Sequence, residues 1–222
     1  MSQVNGNPTS EQVDQSSLTL QQEDGREAIL SAATTAFVTR GYAATSVDDI
    51  AELLNSSKGR IYHYYRTKGE LFLGIHRQAL DMCLAAIVPL SQGDNPAPQR
   101  LRNMIVAHIK LIHDENSLMK LGAQAAEIRI AGEGRTSRRL IDEVLTKRKQ
   151  IEQLYLDVLN EGIKVGDFRS DDQSTMAKAI LGTINWMTIW YSPQGGKRGA
   201  NGLETVTKTV STFVLDGVLS LD

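Results

Sequence analysis

The chain has 222 residues and a formal net charge of −2, which suits one domain or two small ones with a real core. That balance excludes a molecule whose whole surface binds polyanions, so any nucleic-acid site must be a local basic patch. With five prolines and apolar residues recurring at helical spacing, the expected fold class is all-α.

The single cysteine, Cys83, sits in an apolar run, where it reads as a small core residue. A lone thiol makes no internal disulfide and fits a reducing compartment. No apolar stretch approaches the ~20 residues of a membrane helix, and the N-terminus lacks a signal-peptide pattern. The expectation is a soluble, cytoplasmic protein with no membrane partner.

In chain order, residues 1–23 are mostly Ser, Gln, Asn, Thr and acid, with almost no apolar periodicity and no Lys or Arg. They bury too little apolar surface to offset ordering entropy, so a disordered tail is expected. Asp24-Gly25-Arg26-Glu27 has the cap-x-x-Glu spacing of a helix start. Ile29, Ala33, Ala36 and Phe37 follow at helical steps, and Gly41 closes that helix. A second helix starts at Thr45-Ser46, with Asp48 and Asp49 in the first turn, where acids suit the helix dipole. It ends near Asn55, a residue that tolerates a left-handed conformation. A third runs from Lys58 to Tyr64, capped by Ser56 or Ser57, and Thr67-Lys68-Gly69-Glu70 opens a long fourth helix to about Val88. After a Gly/Asn/Pro linker over 91–98, helices are expected at about 98–115, 117–132, 136–165, 172–191 and 202–219. Gly132-Glu133-Gly134 and Gly166-Asp167 are breaks, and 193–199 is a loop.

The second and third helices are each far shorter than the ~12–15 residues an isolated helix needs. They must pack on one another and on the first helix, forming a helix-turn-helix unit over 24–70 whose later helix enters the major groove. At 100° per residue Ile61 marks the buried side of that later helix. Lys58, Gly59, Tyr62 and His63 then share an exposed face, with Arg60 and Tyr64 on its flank, and Tyr65 falls in the core. Cations, hydroxyl-bearing aromatics and a residue without a side chain suit phosphates and base edges.

Ala44-Thr45-Ser46-Val47-Asp48-Asp49-Ile50-Ala51, followed by Ser57-Lys58-Gly59-Arg60-Ile61-Tyr62-His63-Tyr64-Tyr65-Arg66-Thr67-Lys68-Gly69-Glu70-Leu71-Phe72, resembles the DNA-binding signature of TetR-family repressors. The resemblance runs without gaps from about Arg26 to Leu73. It implies an all-α homodimer that binds double-stranded operator DNA and is released by a small-molecule effector. It also implies roles: Thr45 and Ser46 touch phosphate, and Lys58, Gly59 and Arg60 read bases. Tyr62, His63 and Tyr64 contact phosphate and bases, and Lys68 meets the backbone at a helix N-terminus. The chain departs from the pattern at Asn55, where a glycine is usual, and at Asp48, where many relatives carry a base. An acid would repel phosphate, so Asp48 is read as a capping or dipole residue.

Residues 71–222 are the expected effector-binding and dimerisation domain. Leu159–Arg169 and Trp190–Gly196 resemble a TetR subgroup that controls lipid and sterol breakdown and responds to acyl-CoA thioesters. That implies an apolar acid derivative, an acyl-CoA among the candidates, as effector. Gln124, Ile128, Tyr155, Trp186, Met187 and Trp190 are candidate pocket lining, against which stands a plain-core reading. A CoA thioester needs cations for its phosphates. Ser174–Ser192 offers only Lys178, whereas Arg129, Arg135, Arg138 and Arg139 either supply that charge or form a solvated face.

The last two helices carry apolar residues on more than one face, Leu181, Ile184, Val210, Phe213 and Val214 among them, and so call for a second partner such as a two-fold copy. His108 and His113 are five apart, a poor metal spacing on a helix, and no metal is expected. Neither a Gly-x-Ser-x-Gly, a His-Glu-x-x-His nor a phosphate-binding glycine loop occurs, so no enzyme is expected. The other class considered, a purely architectural DNA binder without effector control, calls for a basic or repetitive C-terminal half, which this chain lacks.

Overall fold

The computed structural model describes the backbone of residues 10–127, 138–193 and 202–220, and side chains within 24–123, 138–193 and 202–220. The described residues form helices α1 (Ser10–Arg40), α2 (Val47–Leu53), α3 (Lys58–Tyr64), α4 (Lys68–Ser91), α5 (Ala97–Asp114), α6 (Asn116–Glu127), α7 (Arg138–Val165), α8 (Gln173–Trp190) and α9 (Leu203–Val218). The chain divides into two compact units, 1–68 and 69–222.

In the first unit, α1 begins at Ser10, well before the start expected at Asp24, so much of the segment read as an unstructured tail continues the helix. Once a helix is nucleated, each added residue fixes little more chain for one more hydrogen bond, and the Gln, Glu and Leu of this stretch are good helix formers. Gly41, at φ 80°, ends α1, and Asn55, at φ 49°, takes the left-handed turn position. Ile29, Leu30, Ala33, Phe37, Val47, Ile50, Ile61 and Tyr65 are buried and join the three helices into one small core. Ser46 caps α2 through a reciprocal capping box with Asp49, and Ser57 caps α3.

In the second unit α5 is central, packing on α6, α7, α8 and α9. Its Leu101, Met104, Ile105, His108, Ile109 and Ile112 are buried at three- and four-residue steps. By length and composition α4 is apolar enough to cross a membrane, contrary to the sequence expectation, but half of that apolar window is buried in the protein. Leu71, Phe72, Ile75, Ala79, Cys83 and Ile87 supply the buried side, and a core helix of this kind needs the same composition as a membrane span. Arg77 and Lys147 pair across α4 and α7 with Glu143 and Asp81.

The stretch Leu159–Arg169 forms the end of α7 and its turn. A Cβ on Gly162 would fall inside the ring of Phe168, which packs directly on this glycine. Gly166, at φ 85°, reverses the chain. Arg169 N–H then donates to the Val218 carbonyl (3.0 Å) and Ser220 N–H to the Asp167 carbonyl (3.1 Å), tying the turn to the end of α9. The glycines and phenylalanine of this motif are therefore accounted for by chain reversal and packing.

Candidate nucleic-acid interface and ligand cavity

α3 presents one exposed face. Ile61 anchors it in the core with no exposure, while Lys58, Gly59, Arg60, Tyr62 and His63 all face outward. Tyr62 is 44% exposed, which leaves its ring and hydroxyl open to a partner. Lys58 Nζ lies 2.6 Å from the Asp48 carboxylate of α2. This pair holds the Lys58 pKa above its usual value, chiefly through the hydrogen bond to Asp48. Asp48 thus orients the first cation of α3, a role for which its place in the first turn of α2 gave no signal. Asp49 completes the cap of α2 and pairs with Arg40.

Several of the expected DNA contacts have partners within the protein. Thr45 is 2% exposed, and its hydroxyl donates to the carbonyls of Gly41 (2.7 Å) and Ala36 (3.2 Å), so it secures the end of α1. Its hydroxyl is turned inward because those C-terminal carbonyls need a donor, and this corrects its reading as a phosphate contact. Tyr64 is half-buried: its hydroxyl lies 2.8 Å from where a Cβ on Gly25 would stand, and the Arg26 guanidinium sits over its ring. Lys68 donates to the carbonyls of Tyr42 (2.9 Å) and Ala43 (3.4 Å), and its ammonium lies 4.4 Å from the Tyr42 ring centroid. An ammonium has three donors, so one remains beyond this clamp. Ser46 is exposed, though its hydroxyl already bonds Asp49 (2.6 Å).

The second unit holds a cavity of about 780 Å³. Trp186 lines it. Tyr155 and Met187 do not: both are fully buried in the packing between helices, and Trp190 lies exposed against Tyr191. The side chain of Gln124 and all of Ile128, Arg129 and Arg135 lie outside the described residues. Arg139 pairs with Glu143 instead of reaching the cavity. Cations do reach the mouth, but they are Arg148, Lys149 and Lys178, with Glu152 beside Lys178 (3.3 Å).

The inner wall carries His76 and Cys83 of α4 and His108 of α5, none of them expected there from the sequence. His108 is fully partnered: Nε2 lies 3.5 Å from Cys83 Sγ and Nδ1 3.4 Å from the Tyr155 hydroxyl. Burial lowers its pKa to about 4 and pushes the Cys83 thiol up to about 12, so the ring is neutral and the sulfur a thiol. No group of three metal-ligating residues occurs among the described residues.

Of the residues expected at a dimer interface, Phe213 is 68% exposed and Leu181 and Val210 are half-buried. Ile184 and Val214 are buried within their own subunit, which corrects their assignment to an interface. Trp186, Ile189 and Trp190 add exposed apolar surface on α8.

Residues 29–75 match the model described as bacterial regulatory proteins, tetR family, and residues 94–218 match the tetracyclin repressor-like C-terminal domain. Among curated proteins, the HTH-type transcriptional repressor KstR2 of Rhodococcus jostii is 28% identical over 196 residues, 88% of this chain and 91% of that protein. Among solved structures, the ketosteroid transcriptional regulator KstR2 of Mycobacterium tuberculosis superposes with a TM-score of 0.72 at 26% identity, over 88% of this chain and 95% of that one. The transcriptional regulator FadR of Bacillus subtilis, in complex with stearoyl-CoA, shares the fold with a TM-score of 0.70 at 19% identity, over 86% and 98%. With both of its halves matched by the family's own domains, the chain belongs to the TetR family of bacterial transcriptional regulators.

Proposed function

We propose that the chain is a ligand-responsive repressor that acts as a homodimer on a palindromic operator. Residues 24–70 read DNA, and residues 71–222 bind the effector and dimerise. The observation that carries this reading is the exposed α3 face, on which Lys58, Gly59, Arg60, Tyr62 and His63 stand together inside a family-matched helix-turn-helix. The remaining donor of Lys68 adds a phosphate contact beside it, while Ser46, whose donors go to Asp49, holds the start of α2. The effector is an apolar carboxylic acid derivative, with CoA thioesters the first to test. The mixed wall of the 780 Å³ cavity and the cations at its mouth favour an amphipathic anion. The stearoyl-CoA bound by a protein of the same fold points the same way. The protein works in the cytoplasm and catalyses no reaction.

One helix-turn-helix reads too few bases alone, so two recognition helices must sit in successive major grooves, ~34–36 Å apart. Operators selected from genomic DNA should be palindromic, and anisotropy titration should give much tighter binding to the whole palindrome than to an isolated half-site. Equal affinity for the two refutes the reading.

A further inference from the structure

We propose that His76 is a specificity-determining residue of the cavity, selecting effectors that carry a second oxygen function, a hydroxyl, apart from their anionic group. This rests on the effector reading above. His76 is 5% exposed and stands on the cavity wall contributed by α4. Its Nδ1 is buried with no hydrogen-bond partner among the described residues. Its counterpart on the same wall, His108, has both nitrogens satisfied by Cys83 and Tyr155. Gly122 lies close to the ring: a Cβ added there would stand 3.7 Å from the His76 Cδ2 and 3.0 Å from the Ala79 Cβ.

Burial, aided by the Arg148 guanidinium, holds the His76 pKa down to about 4, so at neutral pH the ring is uncharged. A neutral imidazole carries one N–H donor and one lone pair. A hydroxyl both donates and accepts, so it suits either tautomer. A buried polar atom without a partner is costly, and native structures rarely tolerate one unless a ligand or water completes it. The apolar part of the wall, Ala79, Leu80 and Met119 among it, accepts hydrocarbon but offers the nitrogen no such pairing. A saturated chain would leave the orphaned nitrogen unpaired, whereas a hydroxyl that reaches it would satisfy it. The cations that receive the anionic group, Arg148 among them, are exposed at the mouth, whereas this ring is buried.

The test is a matched titration of the full-length protein by tryptophan fluorescence, Trp186 being the reporter at the mouth. Decanoate, 3-hydroxydecanoate and ω-hydroxydecanoate, each as free acid and as CoA thioester, are the probes. At least one hydroxylated form should bind about three- to tenfold more tightly than its unsubstituted parent. The preference should vanish in His76→Leu and persist in His76→Gln, which keeps a donor and an acceptor. With 15N-labelled histidine, the His76 ring signals should move on adding the preferred probe and stay in place with decanoate, a measurement that does not depend on a folded variant. Binding of all probes with no preference, as a bound water at His76 would give, or a preference unchanged in His76→Leu, overturns the assignment while leaving the effector reading intact. Failure of every probe to bind overturns both.

Discussion

Lys58 and Lys68 share a charge and not a task. Lys58 stands on the exposed α3 face, held by Asp48, while Lys68 is clamped on the Tyr42 and Ala43 carbonyls with one donor left over. A base-edge contact specifies sequence and a phosphate contact only positions. Lys68→Ala should therefore weaken binding to all sequences alike and reduce the slope of log affinity against log salt by about one contact's worth. Because it also removes the ammonium from the Tyr42 and Ala43 carbonyls, leaving Tyr42 only the Thr45 N–H, it should cost the protein ~1 kcal/mol of stability in denaturant unfolding. Lys58→Ala and Arg60→Ala should instead relax preference at particular base pairs by ~1–3 kcal/mol. Measured across a panel of single-base operator variants, a changed preference in Lys68→Ala with none in the other two would reverse the assignment.

At the scale of helices, α8 and α9 expose Trp190 (53%) and Phe213 (68%), apolar surface that a two-fold partner would cover. Phe213→Arg and Trp190→Arg should give monomers that no longer hold operator. These two positions separate association from ligand binding better than Leu181, which also lines the cavity. Analytical ultracentrifugation showing a stable dimer in both variants would place the interface elsewhere. The helices themselves were legible in the sequence: the expected boundaries at 98–115, 172–191 and 202–219 fall within two residues of α5, α8 and α9, because Pro96, Asp172 and Gly202 punctuate the pattern. The α3 face was legible too, since a seven-residue helix with a single buried anchor has only one arrangement. The direction of the Thr45 and Lys68 side chains was not, because it depends on carbonyls supplied by a neighbouring turn. Nor was the cavity wall: Tyr155 and Met187 have the size of pocket residues but face the packing, whereas His76 and Cys83 of α4 share a wall with His108 of α5 only through the tertiary fold.

For the whole molecule the central claim is coupling. α4 starts at Lys68, which holds the loop before α2, and about two turns on contributes His76, Ala79, Leu80 and Cys83 to the cavity wall. A ligand that fits only one setting of this helix would change the separation of the two recognition helices in a dimer. Tight binding alone shifts nothing; the ligand must have different affinities for the two settings. A tenfold difference corresponds to ~1.4 kcal/mol, within the usual range for allosteric coupling, and coupling of this kind is reciprocal. The direct measurement is a pair of titrations: octanoyl- to stearoyl-CoA followed by tryptophan fluorescence with and without saturating operator, and operator followed by anisotropy with and without the same thioester. The account predicts that operator weakens the thioester by the same factor by which the thioester weakens operator. A thioester that binds equally well with and without operator, and leaves operator affinity unchanged, would contradict it.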